Sequence, residues 1–356
     1  MTKLNGEKRG YDHNSWRFHF PHTQIIKRLS ILSVIGLILF FVSFAIGRYY
    51  VPVIDVIKIL FNLIFPLEPT WSSQAETVVL QVRLPRIIAA ILVGGALAAA
   101  GSVFQGIFKN PLVSPDIMGA SAGAGFGAAL GLLLSFGYYG TSTTAFILGL
   151  VAVFIALVVG SKMKNNPTLG MVLAGIMVGS LFTAGVSFIK LVADPMDELP
   201  AITYWLMGSL ASIRLGDLLF LFVPVLVGIV PLFLLRWHLN MLTLEDDEAR
   251  AMGLNIRQLR IIVIICATLT TSACVAMSGM IGWVGLVIPH FARKMVGCNF
   301  QVMLPTSIVM GAGFLLAVDD LARIIASSEI PLGILTAFVG APFFLHLILK
   351  KGREII

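Results

Sequence analysis

The sequence predicts an all-α polytopic membrane protein with about ten transmembrane helices. Hydrophobic residues make up 58% and charged residues 12%, about half the usual charged share, and the mean hydropathy is +0.94. The apolar runs are long enough to cross a hydrocarbon core as helices, whereas barrel strands would give short, alternating segments. Lys and Arg also crowd into alternate loops: with the N-terminus inside, 18 of the 25 fall on the cytoplasmic side, and both termini lie there. The net charge of +7 therefore needs no nucleic-acid partner.

Residues 1–24 are polar and aromatic-flecked, and the apolar run after them is full length with no small-residue cleavage site. They read as a cytoplasmic tail and not a cleavable signal, with His13, His19 and His22 as tail residues. Residues 25–350 form one transmembrane domain, and 351–356 a second cytoplasmic tail. Expected spans are 27–47, 77–107, 115–136, 143–161, 168–192, 214–235, 261–281, 285–297, 302–326 and 331–349. The second exceeds one bilayer crossing and should tilt or protrude. The eighth is short and contains Pro289, so it cannot span as a straight helix. Gly119, Gly123, Gly127 and Gly131 recur every four residues, a spacing that lets helix backbones approach closely in lipid. Cys266, Cys274 and Cys298 lie in or beside apolar segments without CxxC spacing, and read as buried thiols.

The interval 241–260, MLTLEDDEARAMGLNIRQLR, is the longest strongly polar stretch between spans and falls on the cytoplasmic side. It reads as two short helices. Thr243 is placed to cap the first, and Glu245, Asp246, Asp247 and Glu248 complement its positive N-terminal turn. Gly253 can end it in a left-handed conformation, and Asn255 with Gln258 three residues on resembles a capping box for the second. Apolar Leu244, Ala249, Met252, Leu254, Ile256 and Leu259 remain to pack on something. Two readings stand: a solvated connection, or a docking platform for a soluble partner.

An internal repeat is visible. Arg83-x-x-Arg86-Ile-Ile recurs as Arg257-x-x-Arg260-Ile-Ile, and Leu112–Pro115 as Leu286–Pro289, both 174 residues later; Leu169–Ala174 resembles Leu332–Ala337. That offset spans five helices, so the copies have opposite orientation, as in inverted-repeat transporters.

No HExxH or paired intramembrane carboxylate constellation occurs, and His290 and His346 are lone residues. The acidic pair Asp319-Asp320 lies near the outer end of its span, with Asp319 spaced to pair with Arg323. An ion-coupled carrier normally needs ionisable groups nearer the midplane. The glycines at 123–127 lie inside a membrane helix with no strand before them, so they are no dinucleotide fingerprint, and no GxxxxGK[ST] loop is present to hold ATP. If ATP drives this chain, another subunit binds it.

The run at 83–131 (RLPRIIAAILVGGALAAAGSVFQGIFKNPLVSPDIMGASAGAGFGAALG) resembles the permease subunit of type II ABC importers, the iron-siderophore and vitamin B12 family. So do YWLMGSL (204–210), LTLEDDEARAMGLNIRQLR (242–260), GMIGWVGLVIPHFARKMVG (279–297) and IPLGILTAFVGAPFF (330–344). These motifs, in the family's order, cover about 25–350, all but the tails. The resemblance implies the type II permease fold in a bacterial or archaeal cytoplasmic membrane. It implies a second permease subunit (identical or related), two ABC ATPase subunits that bind the ATP-Mg, and an extracytoplasmic substrate-binding protein. It implies no cofactor or metal in this chain.

By motif, Glu245, Asp246, Glu248, Ala249, Met252, Gly253 and Leu254 belong to the ATPase-coupling region. Arg83, Arg86 and Arg323 match arginines that meet acidic residues of the binding protein; their own chemistry allows this or snorkelling at the membrane interface. Asn110, Leu112, Thr168 and Leu169 match the cytoplasmic gate, and Gly175 and Gly179 a helix lining the pathway. The expected cargo is a metal chelate, foremost a ferric siderophore, with cobalamin, haem and molybdate open. From the residues alone, an ion-coupled secondary transporter is the competing reading, and a membrane scaffold a weaker third.

Overall fold

The computed structural model describes residues 22–66, 68–163, 167–326 and 328–353. The expected N-terminal tail up to residue 21, with His13 and His19, and residues 354–356 of the C-terminal tail lie outside the described residues. The chain runs α1 (His22–Ala45), α2 (Val53–Asn62), α3 (Ser73–Thr77), a π-helical turn (Val78–Arg83), α4 (Leu84–Ile107), a 3-10 turn (Pro115–Met118), α5 (Ala120–Leu133), α6 (Gly137–Gly160), α7 (Pro167–Val192), α8 (Glu198–Met207), a 3-10 turn (Leu215–Asp217), α9 (Leu218–Leu234), α10 (Arg236–Met241), α11 (Asp246–Ala251), α12 (Ile256–Ser278), α13 (Val284–Val296), α14 (Phe300–Ile324) and α15 (Leu332–Arg353). No strand occurs among the described residues.

Seven helical stretches are long and apolar enough to cross a membrane, the longest being Ser73–Ile107. Two expected spans are shorter. α5 has 14 residues and α13 has 13, each reaching about 20 Å at 1.5 Å per residue against a core of about 30 Å. α15 runs for 22 residues. The expected 115–136 span is interrupted because Gly119 adopts φ +81 between the 3-10 turn and α5. The long second span is relieved by the π-helical turn just ahead of Pro85, whose missing N–H removes an i→i−4 bond. The sequence reading missed the short helices α2, α8 and α10, which are too brief for hydropathy to separate from loops.

α4 and α12 are the central helices: 83% and 72% of their most apolar windows are buried, against 33% for α6. α4 packs on α14, α12 and α13, while α12 packs on α9, α6 and α4. Exchanging the halves (α4 for α12, α5 for α13, α6 for α14, α7 for α15) turns the α4–α14 contact into α12–α6, and α5–α6 into α13–α14. Both members of each pair are present. One sequence match does not survive: Pro115 opens a turn before α5, whereas Pro289 lies inside α13, so those two motifs are not equivalent.

Three of the four glycines of the stripe do what their spacing predicts, while Gly119 lies before α5 and faces α7. A Cβ on Gly123 would lie 2.5 Å from the Leu148 carbonyl, one on Gly127 2.4 Å from the Thr144 carbonyl, and one on Gly131 2.8 Å from Thr141 Cα. The stripe therefore seats α5 on α6, and the Thr144 hydroxyl donates to the Gly127 carbonyl at 2.9 Å across the seam. Gly127→Leu is expected to cost about 1–3 kcal/mol by overpacking, read as a lowered Tm in detergent. Gly36→Ala, with nothing within 4 Å of the new Cβ, is the neutral control. The buried-thiol expectation holds for Cys274; Cys266 is half-buried, and Cys298, in the loop after α13, is exposed.

Candidate functional site: coupling platform, cleft and ion-pair cluster

The platform lies at the end of the bundle where α14 begins. Asn240, on α10, ties it there: its side-chain oxygen accepts from the Phe300 N–H at 2.8 Å and its amide donates to Asn299 Oδ1 at 3.1 Å. Thr243 is not the cap of α11, because its hydroxyl donates back to the Asn240 carbonyl at 2.6 Å; Glu245 takes the N-cap position with extended backbone. Gly253 ends the element at φ +83, as its position predicts. Asn255 Oδ1 accepts from the Gln258 N–H at 3.2 Å, also as predicted. The helix it caps is α12 itself, so the expected second short helix is the first turn of a membrane span. Leu242, Ala249 and Ile256 are buried, and Leu244, Leu254 and Leu259 pack on the same core. Glu245, Asp247, Glu248 and Gly253 are exposed. Met252, 55% exposed, is the only large apolar side chain of 241–255 left strongly exposed. Ala249, expected on the coupling surface, instead anchors the platform from beneath.

At the opposite end, three arginines and three carboxylates form one cluster. Arg86 Nε donates to Asp319 Oδ1 and Oδ2 at 2.9 and 3.0 Å, and its Nη1 to Glu329 Oε1 and Oε2 at 2.8 and 2.9 Å. Arg323 Nε lies 3.3 Å from Asp319 Oδ2, the i, i+4 pair read from the sequence, and its Nη2 pairs with Asp320. Asp320 also accepts from the Ser43 hydroxyl at 2.6 Å. Arg83 donates to the carbonyls of Phe44 and Tyr49. The arginines read as available to acidic residues of a binding protein are not freely exposed at this end. Arg83, Arg86 and Arg323 are 3%, 4% and 6% exposed, and each is engaged within the chain. Unpaired, they would carry a large desolvation cost in this setting, and the cluster offsets it. Glu329, in the loop after α14, is the partly exposed member at 29%.

Between the α4–α5 connection and α7 lies a cleft of about 430 Å³. Gly175 and Gly179, expected along the pathway, line this cleft, but they act differently. A Cβ on Gly175 would lie 2.2 Å from the Ile117 carbonyl, so this glycine closes α7 onto the 3-10 turn. A Cβ on Gly179 would meet nothing nearer than 3.7 Å, so this one leaves room. Asp116, Ser180 and Thr183 line the same cleft, and sequence reasoning singled out none of them. Asp116 is accessible through the open side. The surrounding protein still pushes its carboxyl above the usual carboxylate range, opposed by the hydrogen bond from Ser121. Of the gate residues, Asn110 Oδ1 accepts from the Leu112 N–H at 2.9 Å, holding an exposed turn that presents Leu112. Thr168 and Leu169 start α7, with Leu169 exposed.

Residues 35–350 match the FecCD transport family. The chain belongs to that family. It is 40% identical over 332 residues to the molybdate import system permease protein of Haemophilus influenzae (93% of this chain, 97% of the relative). It is 38% identical over 278 residues to a probable iron chelatin transport system permease protein of Helicobacter pylori (78% and 84%). A solved inward-facing structure described as a metal-chelate type ABC transporter superposes with TM-score 0.82 at 39% identity, covering 91% of this chain and 99% of that one. The protein is accordingly an ABC importer permease, a transport subunit and not an enzyme, with the type II fold.

Three of the family-like motifs meet at one junction that no local pattern announces. YWLMGSL ends α8, GMIGWVG joins α12 to α13, and IPLG opens α15. The Ser209 N–H donates to the Ser278 carbonyl and the Leu332 N–H to the Gly208 carbonyl, both at 2.8 Å. A Cβ on Gly279 would lie 2.3 Å from the Trp205 carbonyl, and one on Gly333 2.5 Å from the Met207 carbonyl. These glycines let three backbones touch, and the junction borders a second, mainly apolar cleft of about 670 Å³ that includes Trp283 and Phe338.

Proposed function

We propose that this FecCD permease imports a ferric chelate, delivered by an extracytoplasmic binding protein and driven by two ATPase subunits seated on the 241–260 platform, with both termini in the cytoplasm. The platform carries this reading: an acidic first turn, a left-handed Gly253 and exposed Met252, on a base buried through Leu242, Ala249 and Ile256, make a rigid surface with one apolar anchor. Such an anchor inside a polar rim suits a soluble partner. The gate pairs the Asn110–Leu112 turn with Thr168 and Leu169, and Gly175 and Gly179 border the path. The docking protein meets the Arg83–Arg86–Arg323 end by exchanging carboxylates, the accessible Glu329 being the first to yield. Iron is placed first because three of the relatives, at 37–38% identity, are named for iron chelatin or Fe(3+)-citrate import, beside one each for molybdate, cobalamin and hemin.

Purification of the intact complex from native membranes through a tag on this chain, followed by mass and elemental analysis, tests the reading. An ATPase and an iron-loaded binding protein are expected. Molybdenum or cobalt in the binding protein would replace the cargo assignment, and the absence of an ATPase would remove the platform's role.

A further inference from the structure

The cleft between the α5 entry and α7 presents side-chain acceptors and no free side-chain donor. The Ser180 hydroxyl donates to the Ile176 carbonyl and the Thr183 hydroxyl to the Gly179 carbonyl, both at 2.8 Å. A hydroxyl has one proton, so each offers the cleft only lone pairs. Ser121 gives its proton to Asp116 Oδ1. Asp116 itself adds a carboxylate to the lining. One feature opposes this polarity: the first N–H groups of α5 lack intrahelical partners, and a helix N-terminus attracts anions. Asp116 stands at that turn through its bond to Ser121, the second residue of α5. A full negative charge outweighs the roughly half positive charge of a helix end.

We infer that Asp116 is a charge filter on the translocation path: the cleft passes neutral or cationic metal chelates that carry N–H or O–H donors, and disfavours oxyanions and anionic chelates. This deepens the importer reading and rests on it. It also divides the cargo classes named among the relatives, since molybdate is an oxyanion and would meet a carboxylate where a helix N-terminus could otherwise receive it.

The test uses the complete importer, with its ATPase and binding protein, reconstituted in liposomes. The probes are a neutral ferric tris-hydroxamate, an amine-bearing cationic ferric tris-hydroxamate, and molybdate. The binding protein selects cargo first, so the quantity read is the ratio of cationic to neutral chelate uptake, compared among native protein, Asp116→Asn and Asp116→Lys. The ratio should fall about tenfold in Asp116→Lys, through like-charge repulsion, and by less in Asp116→Asn. Equal loss of both chelates, or an unchanged ratio, would mean that Asp116 only holds the turn, and the filter is overturned while ATP-driven uptake persists. Molybdate uptake by the native complex overturns it equally. A complex whose ATP hydrolysis ignores its binding protein overturns the importer reading itself, and the inference with it.

Discussion

Replacing Asp319 with alanine is expected to destabilise the folded protein by about 3–5 kcal/mol, the cost of leaving a buried charge without its partner. Asp319 is fully buried between Arg86 and Arg323, and joins α4 to α14 across 233 residues of sequence. Its loss leaves Arg86 with Glu329 alone and Arg323 with Asp320 and two backbone carbonyls, an excess of buried positive charge in an interior that hydrates it poorly. Thermal unfolding of the purified protein in detergent reads the effect, with Glu329→Gln as comparison. Glu329 is partly exposed, so its substitution should cost no more than about 1 kcal/mol. A loss below that level in Asp319→Ala would show that the cluster does not hold the bundle together. The same geometry bears on the arginines. Reversing Arg86 to Glu would place a third carboxylate beside Asp319 and Glu329, so a transport defect in that variant would report folding before docking.

The second large effect is expected on the platform. Gly253→Pro imposes φ near −65° where the backbone sits at +83°, so the turn joining α11 to α12 cannot keep its shape. Met252→Glu leaves that turn intact and removes the exposed apolar anchor. Truncating an interface anchor costs about 1–2 kcal/mol or more, roughly a tenfold weaker association with the ATPase. Met252→Glu should fold as the native protein does, because Met252 is 55% exposed, whereas Gly253→Pro breaks the turn itself and removes the Gly253 N–H bond to the Arg250 carbonyl. Both should lose ATP-driven uptake. Native ATPase retention and native uptake in Met252→Glu would separate the platform from coupling.

What the sequence determined by itself was local. Hydropathy placed a helix in each of the ten expected intervals, seven of them long and apolar enough to cross a membrane among the described residues, because a helix in lipid must satisfy its own backbone and can be read from composition alone. Turn chemistry placed Gly253 and Asn255 correctly, since a left-handed residue and an N-cap are set by near neighbours. Spacing alone marked α5 for close helix packing, though not α6 as its partner, and located the Asp319–Arg323 pair. What lay beyond it was long-range. Arg83 and Arg86 read as surface residues because their partners, Phe44, Asp319 and Glu329, lie tens to hundreds of residues away. Gly175 and Gly179 look alike in sequence, yet a Cβ on the first would strike the Ile117 carbonyl and one on the second would meet nothing nearer than 3.7 Å. Asp116 is one acidic residue at the start of an expected span until the fold sets α7 across a cleft from it. Local periodicity reports which residues leave water; only tertiary packing decides which buried charge meets which, because in a low-dielectric interior each charge must be matched by a partner from anywhere in the chain.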